Sequence, residues 1–240
     1  MKISKEKKAE TRRKIIDAAV DVMTKKSFES SSMREIAQVA GVGEATIYNY
    51  FSTKEQLLYG FIEKTHLDVT AEVLAIDGFN EFTLKEKLQM YFESLFIAYL
   101  PNREFVKITL DHMHAHPTSS LVALKSVRAA FNALILGWID IAVQRNEIND
   151  QPMLKWLAEH VWDYGCGITW YWIKDDSDQF NQTTQLIDMS LDVIVQILES
   201  NVLGRVSDIV SFLIKAHIFK YFDGKPAGDI VKKVVHYVKL

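Results

Sequence analysis

From Ile15 onward the apolar residues return to one face every three or four positions. Ile15, Ala19 and Val22 do so early, and Leu186, Ser190, Val193 and Ile197 do so late. A period near 3.6 residues builds the stripe of an amphipathic helix, and no convincing run alternates in the way a half-buried strand requires. All four prolines, Pro101, Pro117, Pro152 and Pro226, fall beyond residue 100, where they punctuate long helical stretches. The expected fold is all-α, with a three-helix module over residues 1–52 and a larger helical domain over 53–240. Long helices are predicted near 53–76, 83–100, 102–116, 118–146, 153–174 and 179–203, and two extra C-terminal ones near 205–222 and 228–239.

Charge divides the chain in a similar place. Residues 1–54 carry 11 Lys+Arg against 7 Asp+Glu, a net +4, while the whole chain carries 28 against 31, a net −3. The remainder is therefore −7, which suits a basic contact module on an acidic body. With 48% hydrophobic and 25% charged residues the chain has the composition of a globular protein. Cys166 is the sole cysteine, so no intrachain disulfide is possible and a reducing, cytoplasmic setting is expected. No membrane span is expected either, because "FNALILGWIDIAV" and "IVSFLIKAHIF" are broken by Asp140 and Lys215 and fall short of the ~20 residues required.

The stretch "GVGEATIYNYFSTKEQL", Gly41 to Leu57, carries the strongest local signal. Before it, Ser32 and Glu35 have the spacing of a capping box, so a helix should begin at Met33 with Ile36, Ala37 and Ala40 inward. Gly41 is suited to the left-handed conformation that ends a helix. A second helix follows over Glu44 to Tyr50, and Ser52, Thr53, Lys54 and Glu55 repeat the start signal for a third. This is the helix-turn-helix plan, in which the second helix enters the major groove of DNA. Ile47 and Phe51, four apart, would seat that helix, leaving Thr46, Tyr48, Asn49 and Tyr50 to supply outward positions.

These residues resemble the TetR/AcrR family of bacterial transcriptional regulators. The similarity runs from about Thr11 to Leu58, through "RRKIIDAAVDVM" and "FESSSMREIAQVAGVGEATIYNYFSTKEQLL". The resemblance implies that Thr46 and Tyr48 touch phosphate or bases and that Lys54 touches the DNA backbone from its helix start. It places Ser32 and Arg34 near phosphate, and Lys7, Lys8, Arg12 and Arg13 would extend the footprint. With Gly43, Glu44, Ala45, Asn49 and Tyr50 these complete the candidate DNA-contact set. Three positions depart from the family pattern: Ser27 replaces a glycine after the first helix, Gly43 replaces a capping serine, and Glu44 puts an acid at the reading end.

The resemblance further implies a homodimer on a palindromic operator, joined by two late helices of each subunit, and a small-molecule effector. Trp156, His160, Tyr164, Leu186, Val193 and Ile197 are the candidate interface residues. The aromatic series Phe92, Phe96, Tyr99, Phe105, Phe131 and Trp138 reads first as core. With His112, Trp162 and Cys166 it is also the candidate wall of a pocket for a bulky hydrophobic or aromatic effector. His112 and His116 share a helix face but His114 does not, so no metal site is expected. No nucleophile elbow, phosphate-cradling glycine loop or paired catalytic carboxylate is recognisable, so neither enzymatic activity nor a cofactor is expected. The leading expectation is a ligand-responsive repressor. The alternative is a DNA-bound interaction protein that acts through a protein partner without a small effector.

Overall fold

Some helix starts in this chain are made by side chains that reach orphan backbone amides. In the computed structural model, which describes residues 4–151, 154–200 and 205, α1 (Lys5–Lys26) opens with the Ser4 hydroxyl accepting from the Lys7 amide at 3.2 Å. For α2 (Met33–Val39), Ser32 accepts from the Glu35 amide at 3.2 Å, but the Glu35 carboxylate turns to the Lys26 ammonium at 2.5 Å. The expected capping box is thus half realised, since the ion pair takes the carboxylate. The full reciprocal box occurs at α5 (Leu84–Tyr99). There Glu86 accepts from the Thr83 amide at 2.7 Å, and the Thr83 hydroxyl accepts from the Glu86 amide at 3.2 Å.

The remaining helices are α3 (Glu44–Tyr48), α4 (Glu55–Leu74), α6 (Arg103–Ala115), α7 (Pro117–Ala123), α8 (Lys125–Gln144), α9 (Leu154–Lys174) and α10 (Asn181–Glu199), and no strand occurs among the described residues. One predicted helix, over 118–146, is two. Pro117 opens α7, and the chain leaves helical geometry at Leu124 (φ −90°, ψ 4°), whose side chain is buried, before α8 begins. The extra helices predicted over 205–222 and 228–239 lie, Arg205 apart, outside the described residues.

The described chain divides into two compact units. The first comprises Met1–Asp77, Tyr91–Ala129 and Thr169–Asp176, and the second Gly78–Met90, Ala130–Ile168 and Ser177–Leu240, each taken over its described residues. In the first, α1 packs on α2, α4 and α6, α2 packs on α3, and α4 packs on α7. Its centre is aromatic: Phe61 meets Tyr99 at 6.0 Å and Phe105 at 5.0 Å, while Phe96 stacks on Trp172 at 5.3 Å. Arg103 closes the carboxyl end of α9, donating from Nη2 to the carbonyls of Trp172 (3.0 Å), Ile173 (3.0 Å) and Asp175 (2.8 Å). A cation there complements the exposed carbonyls and the helix dipole.

In the second unit Phe79 meets Trp138 at 5.6 Å and Phe131 meets Trp162 at 5.7 Å. Lys85 bridges to Asp188 (2.8 Å) and Asp192 (2.5 Å) on α10, and Gln151 donates to the Leu198 carbonyl at 2.6 Å near that helix's end. By length and composition alone α8 would pass for a membrane span, as core helices do; its Phe131, Ile135, Trp138, Ile139 and Ala142 are buried within the fold.

A polar pair interrupts the apolar interior of the first unit. His66 Nδ1 lies 2.7 Å from the Tyr91 hydroxyl, desolvation pushes the His66 pKa down to about 4, and burial pushes the Tyr91 phenol up. Because the folded imidazole refuses a proton that the unfolded chain accepts at 6.5, stability is undiminished above that value and is lost as pH falls from 6.5 toward 4. The loss should reach at most roughly 3 kcal/mol. Chemical denaturation across that window checks this, and His66→Gln should flatten the dependence.

Candidate nucleic-acid interface

The reading element is built on a short helix that needs outside support. α3 has five residues, too few to persist alone, and its N-cap, Gly43, makes no side-chain cap bond. Support comes from both ends. At the preceding turn Gly41 takes φ +67°, with the Val42 amide donating to Ala37 (3.0 Å) and the Gly41 amide to Gln38 (3.2 Å), the paired bonds of a Schellman ending. From the inner face Ile47 (0% exposed) and Phe51 (2%) anchor the helix in the core, as their spacing predicts.

The helix is shorter than predicted: the chain passes into turn at Asn49 and Tyr50, and α4 begins only at Glu55. The Ser52 amide donates to the Gln56 side chain at 2.8 Å, so Gln56 rather than Ser52 makes the bond across this start. A cleft of about 200 Å³ beside α4, lined in part by Arg12, Phe51, Tyr59, Gly60 and Leu124, takes Tyr50 as a lining residue. Tyr50 therefore sits apart from Tyr48, which stays 49% exposed on the open face.

Most of the candidate DNA-contact set is exposed. Ser32, Arg34, Gly43, Glu44, Ala45, Tyr48 and Asn49 are exposed and Thr46 is half-buried. The Arg34 side chain is 83% exposed and its Nε lies 3.9 Å from the Glu44 carboxylate, so the acid at the reading end has a cation beside it. Lys7 and Lys8 are exposed on the first turns of α1. Arg12 and Arg13 instead pair with α4: the half-buried Arg12 pairs with Glu63 at 2.6 Å and lies over the Phe51 ring, and the exposed Arg13 pairs with Asp68. Sequence spacing gave no sign of these pairs, whose partners are 51 and 55 residues apart.

Lys54 is also turned inward. Its ammonium donates to the carbonyls of Phe28, Glu29 (3.3 Å) and Ser31 (3.0 Å), and lies 4.4 Å from the Phe28 ring centroid. Those carbonyls belong to the loop after α1, where Ser27 is held at φ 80°, ψ 161°, a region that residues other than glycine rarely occupy. The departure from glycine noted in the sequence is therefore accommodated as backbone strain. The Phe28 ring also meets His112 of α6, 5.1 Å away centroid to centroid, with Tyr59 6.1 Å and His116 4.6 Å from His112. Burial and His116 hold the His112 pKa below its ordinary value.

The nine candidate effector residues separate. Phe92, Phe96, Tyr99 and Phe105 are buried in the first unit and His112 faces the α1–α2 loop, whereas Phe131, Trp138, Trp162 and the half-buried Cys166 belong to the second. None of the nine lines the cleft beside α4. No group of three or more potential metal ligands occurs among the described residues.

Two family models match the chain. "Bacterial regulatory proteins, tetR family" covers residues 15–59, and "Tetracyclin repressor-like, C-terminal domain" covers residues 87–213. The chain belongs to the TetR family of DNA-binding transcription regulators. It is 26% identical over 171 residues to the fatty acid metabolism regulator protein of Bacillus subtilis, across 68% of this chain and 83% of that one. It is 25% identical over 166 residues to the transcriptional repressor BepR of Brucella suis, across 66% and 77%. Among solved structures, the regulator FadR from Bacillus subtilis in complex with stearoyl-CoA shares the fold, with a TM-score of 0.59 at 18% identity over 79% of this chain and 98% of that one. A TetR-family regulator from Syntrophomonas wolfei does so with a TM-score of 0.61 at 16% identity, over 78% and 96%.

Replacing Gly41 by alanine should destabilise the reading module by about 1–2 kcal/mol. An added Cβ there meets no atom within 4 Å, so the cost is that of the left-handed backbone alone. Gly60→Ala should cost about 1–3 kcal/mol, because its Cβ would stand 2.7 Å from the buried Phe51 ring. Equilibrium unfolding of the two variants checks both values.

Proposed function

We propose that the protein is a homodimeric repressor that occupies a palindromic operator in the cytoplasm and is released by an effector carrying an acyl chain. The observation that carries the DNA-binding part is the seating of α3: its apolar side is buried through Ile47 and Phe51 while Tyr48, Asn49, Glu44 and Arg34 stay accessible on one face. That is the presentation a major-groove reader needs.

The dimer reading rests on the second unit. On α10 Leu186, Met189, Val193 and Ile197 follow one another at helical spacing and are 36%, 59%, 55% and 36% exposed. On α9 the indole of Trp156, 50% exposed, stacks on His160 with centroids 4.1 Å apart. Tyr164 and Ser190, hydroxyl to hydroxyl at 2.7 Å, hold α9 and α10 together beside these residues. A two-fold axis through such a face would bury the stripe against its own copy and match the symmetry of paired half-sites.

The acyl effector is favoured by the fatty acid metabolism regulator among the relatives and by the aromatic interior of the first unit, where Phe61, Phe96, Tyr99, Phe105 and Trp172 form one apolar mass. An acyl chain would separate some of these rings. It would release DNA only by favouring a conformation in which the two reading helices no longer fit successive grooves.

Selection from a random duplex pool should enrich a palindrome. Tyr48→Ala should then lower operator affinity by about tenfold or more while sedimentation still reports a dimer. Stearoyl-CoA should weaken operator binding where free coenzyme A does not. A monomer in sedimentation would remove the dimer, and no response to acyl-CoA esters of any chain length would move the reading to regulation through a protein partner.

A further inference from the structure

We propose that Lys54 is a positioning residue that clamps the strained α1–α2 loop and leaves the DNA phosphates to other side chains; the inference rests on the operator-binding reading above. A lysine ammonium has three protons to donate. Here three carbonyls of one loop, Phe28, Glu29 and Ser31, converge on it, and the Phe28 ring covers it at 4.4 Å. No donor remains for a phosphate oxygen unless the loop bonds are given up.

The surroundings explain why the charge turns inward. Lys54 is the N-cap residue of α4, where the amide ends of a helix repel a cation. The loop offers the opposite field, with carbonyl oxygens pointing together. They can converge because the chain bends at Ser27, whose φ of 80° and ψ of 161° cost a residue with a side chain free energy that its surroundings must offset. Within the loop the Ser31 hydroxyl donates to the Phe28 carbonyl at 2.8 Å and the Ser27 hydroxyl meets Ser30 at 3.4 Å, and Lys54 adds three contacts from outside it.

The clamp has a functional position. The loop leads directly into Ser32 and α2, on which α3 packs, and its Phe28 ring is shared between Lys54 and His112 of α6. A loosened loop would free α2 and α3 together and lose the contact with α6. Lys54 thereby sets the posture of the reading helices through the loop that leads into α2.

The test measures binding of the selected operator to wild type, Lys54→Met, Lys54→Arg, Ser27→Gly and the double variant, by fluorescence anisotropy from about 50 to 200 mM salt. Loop-amide hydrogen exchange is read in parallel on the free proteins, and circular dichroism checks that each is folded. Lys54→Met should lose about tenfold in affinity at every salt concentration, with the slope of log K against log salt unchanged. Lys54→Arg should fail to restore binding, because a planar fork does not match three converging carbonyls. Ser27→Gly should recover about fivefold in the Lys54→Met background by removing the strain. Exchange over Phe28–Ser31 should rise at least tenfold in Lys54→Met, with the interior of α1 unchanged.

A slope that falls by about 0.9 for each lysine removed, with full binding by Lys54→Arg, would place the ammonium on phosphate and overturn the proposal. So would wild-type affinity in Lys54→Met, or loop exchange equal to wild type. If the wild-type protein enriches no palindrome, the operator reading fails by itself, and the exchange data still decide whether Lys54 clamps the loop.

Discussion

A five-residue helix cannot hold its own shape in water, and this constraint orders everything around α3. Its geometry has to be imposed by burial of Ile47 and Phe51, and those two side chains need a surface to meet. Gly60 supplies part of it. The absence of a Cβ lets α4 approach the Phe51 ring, and Arg12 covers the same ring at 5.1 Å while pairing with Glu63. The pair is partly exposed, so its Coulomb energy is modest. Its contribution is geometric, because it fixes α1 and α4 around the anchor of the reading helix.

The seating of α3 was legible in the sequence for the same reason. Glycine at a left-handed turn, a hydroxyl at a helix start and two apolar residues four apart are local devices whose consequences appear within a few residues, and Gly41, Ser32 and Ile47–Phe51 behave as they predict. Local rules failed where a distant partner competed. Glu35 had the spacing to close a capping box, yet Lys26 captured its carboxylate across the loop. The helix predicted over 118–146 had an unbroken apolar period, but the break at Leu124, between α7 and α8, carries no glycine or proline to announce it.

Long-range polar contacts were the least legible class. Arg103 and the carbonyls of Trp172, Ile173 and Asp175 are 69 to 72 residues apart, and His66 and Tyr91 are 25 apart with no motif joining them. Arginine and histidine at such positions look like surface residues in a sequence. In the fold each meets a backbone end or hydroxyl that would otherwise be left unsatisfied in an apolar setting, and that need is visible only once the helices are packed. The aromatic series was legible in part. Periodicity correctly marked Phe92, Phe96, Tyr99, Phe105, Phe131 and Trp138 as inward, but inwardness does not say toward which centre, and the residues divide between two units.

The loop between α1 and α2 brings these threads together. A serine stands where a glycine would be relaxed, so the bend needs restraint, and part of that restraint comes from Lys54 at the N-cap of α4 and from an aromatic ring also touched by α6. Strain of this kind makes a segment sensitive to its neighbours, because small changes in the contacts that offset it shift the balance between two backbone states. A glycine at residue 27 would hold the same bend with less dependence on Lys54 or Phe28. With serine there, the orientation of α2 and α3 depends on the contacts that α4 and α6 make with this loop.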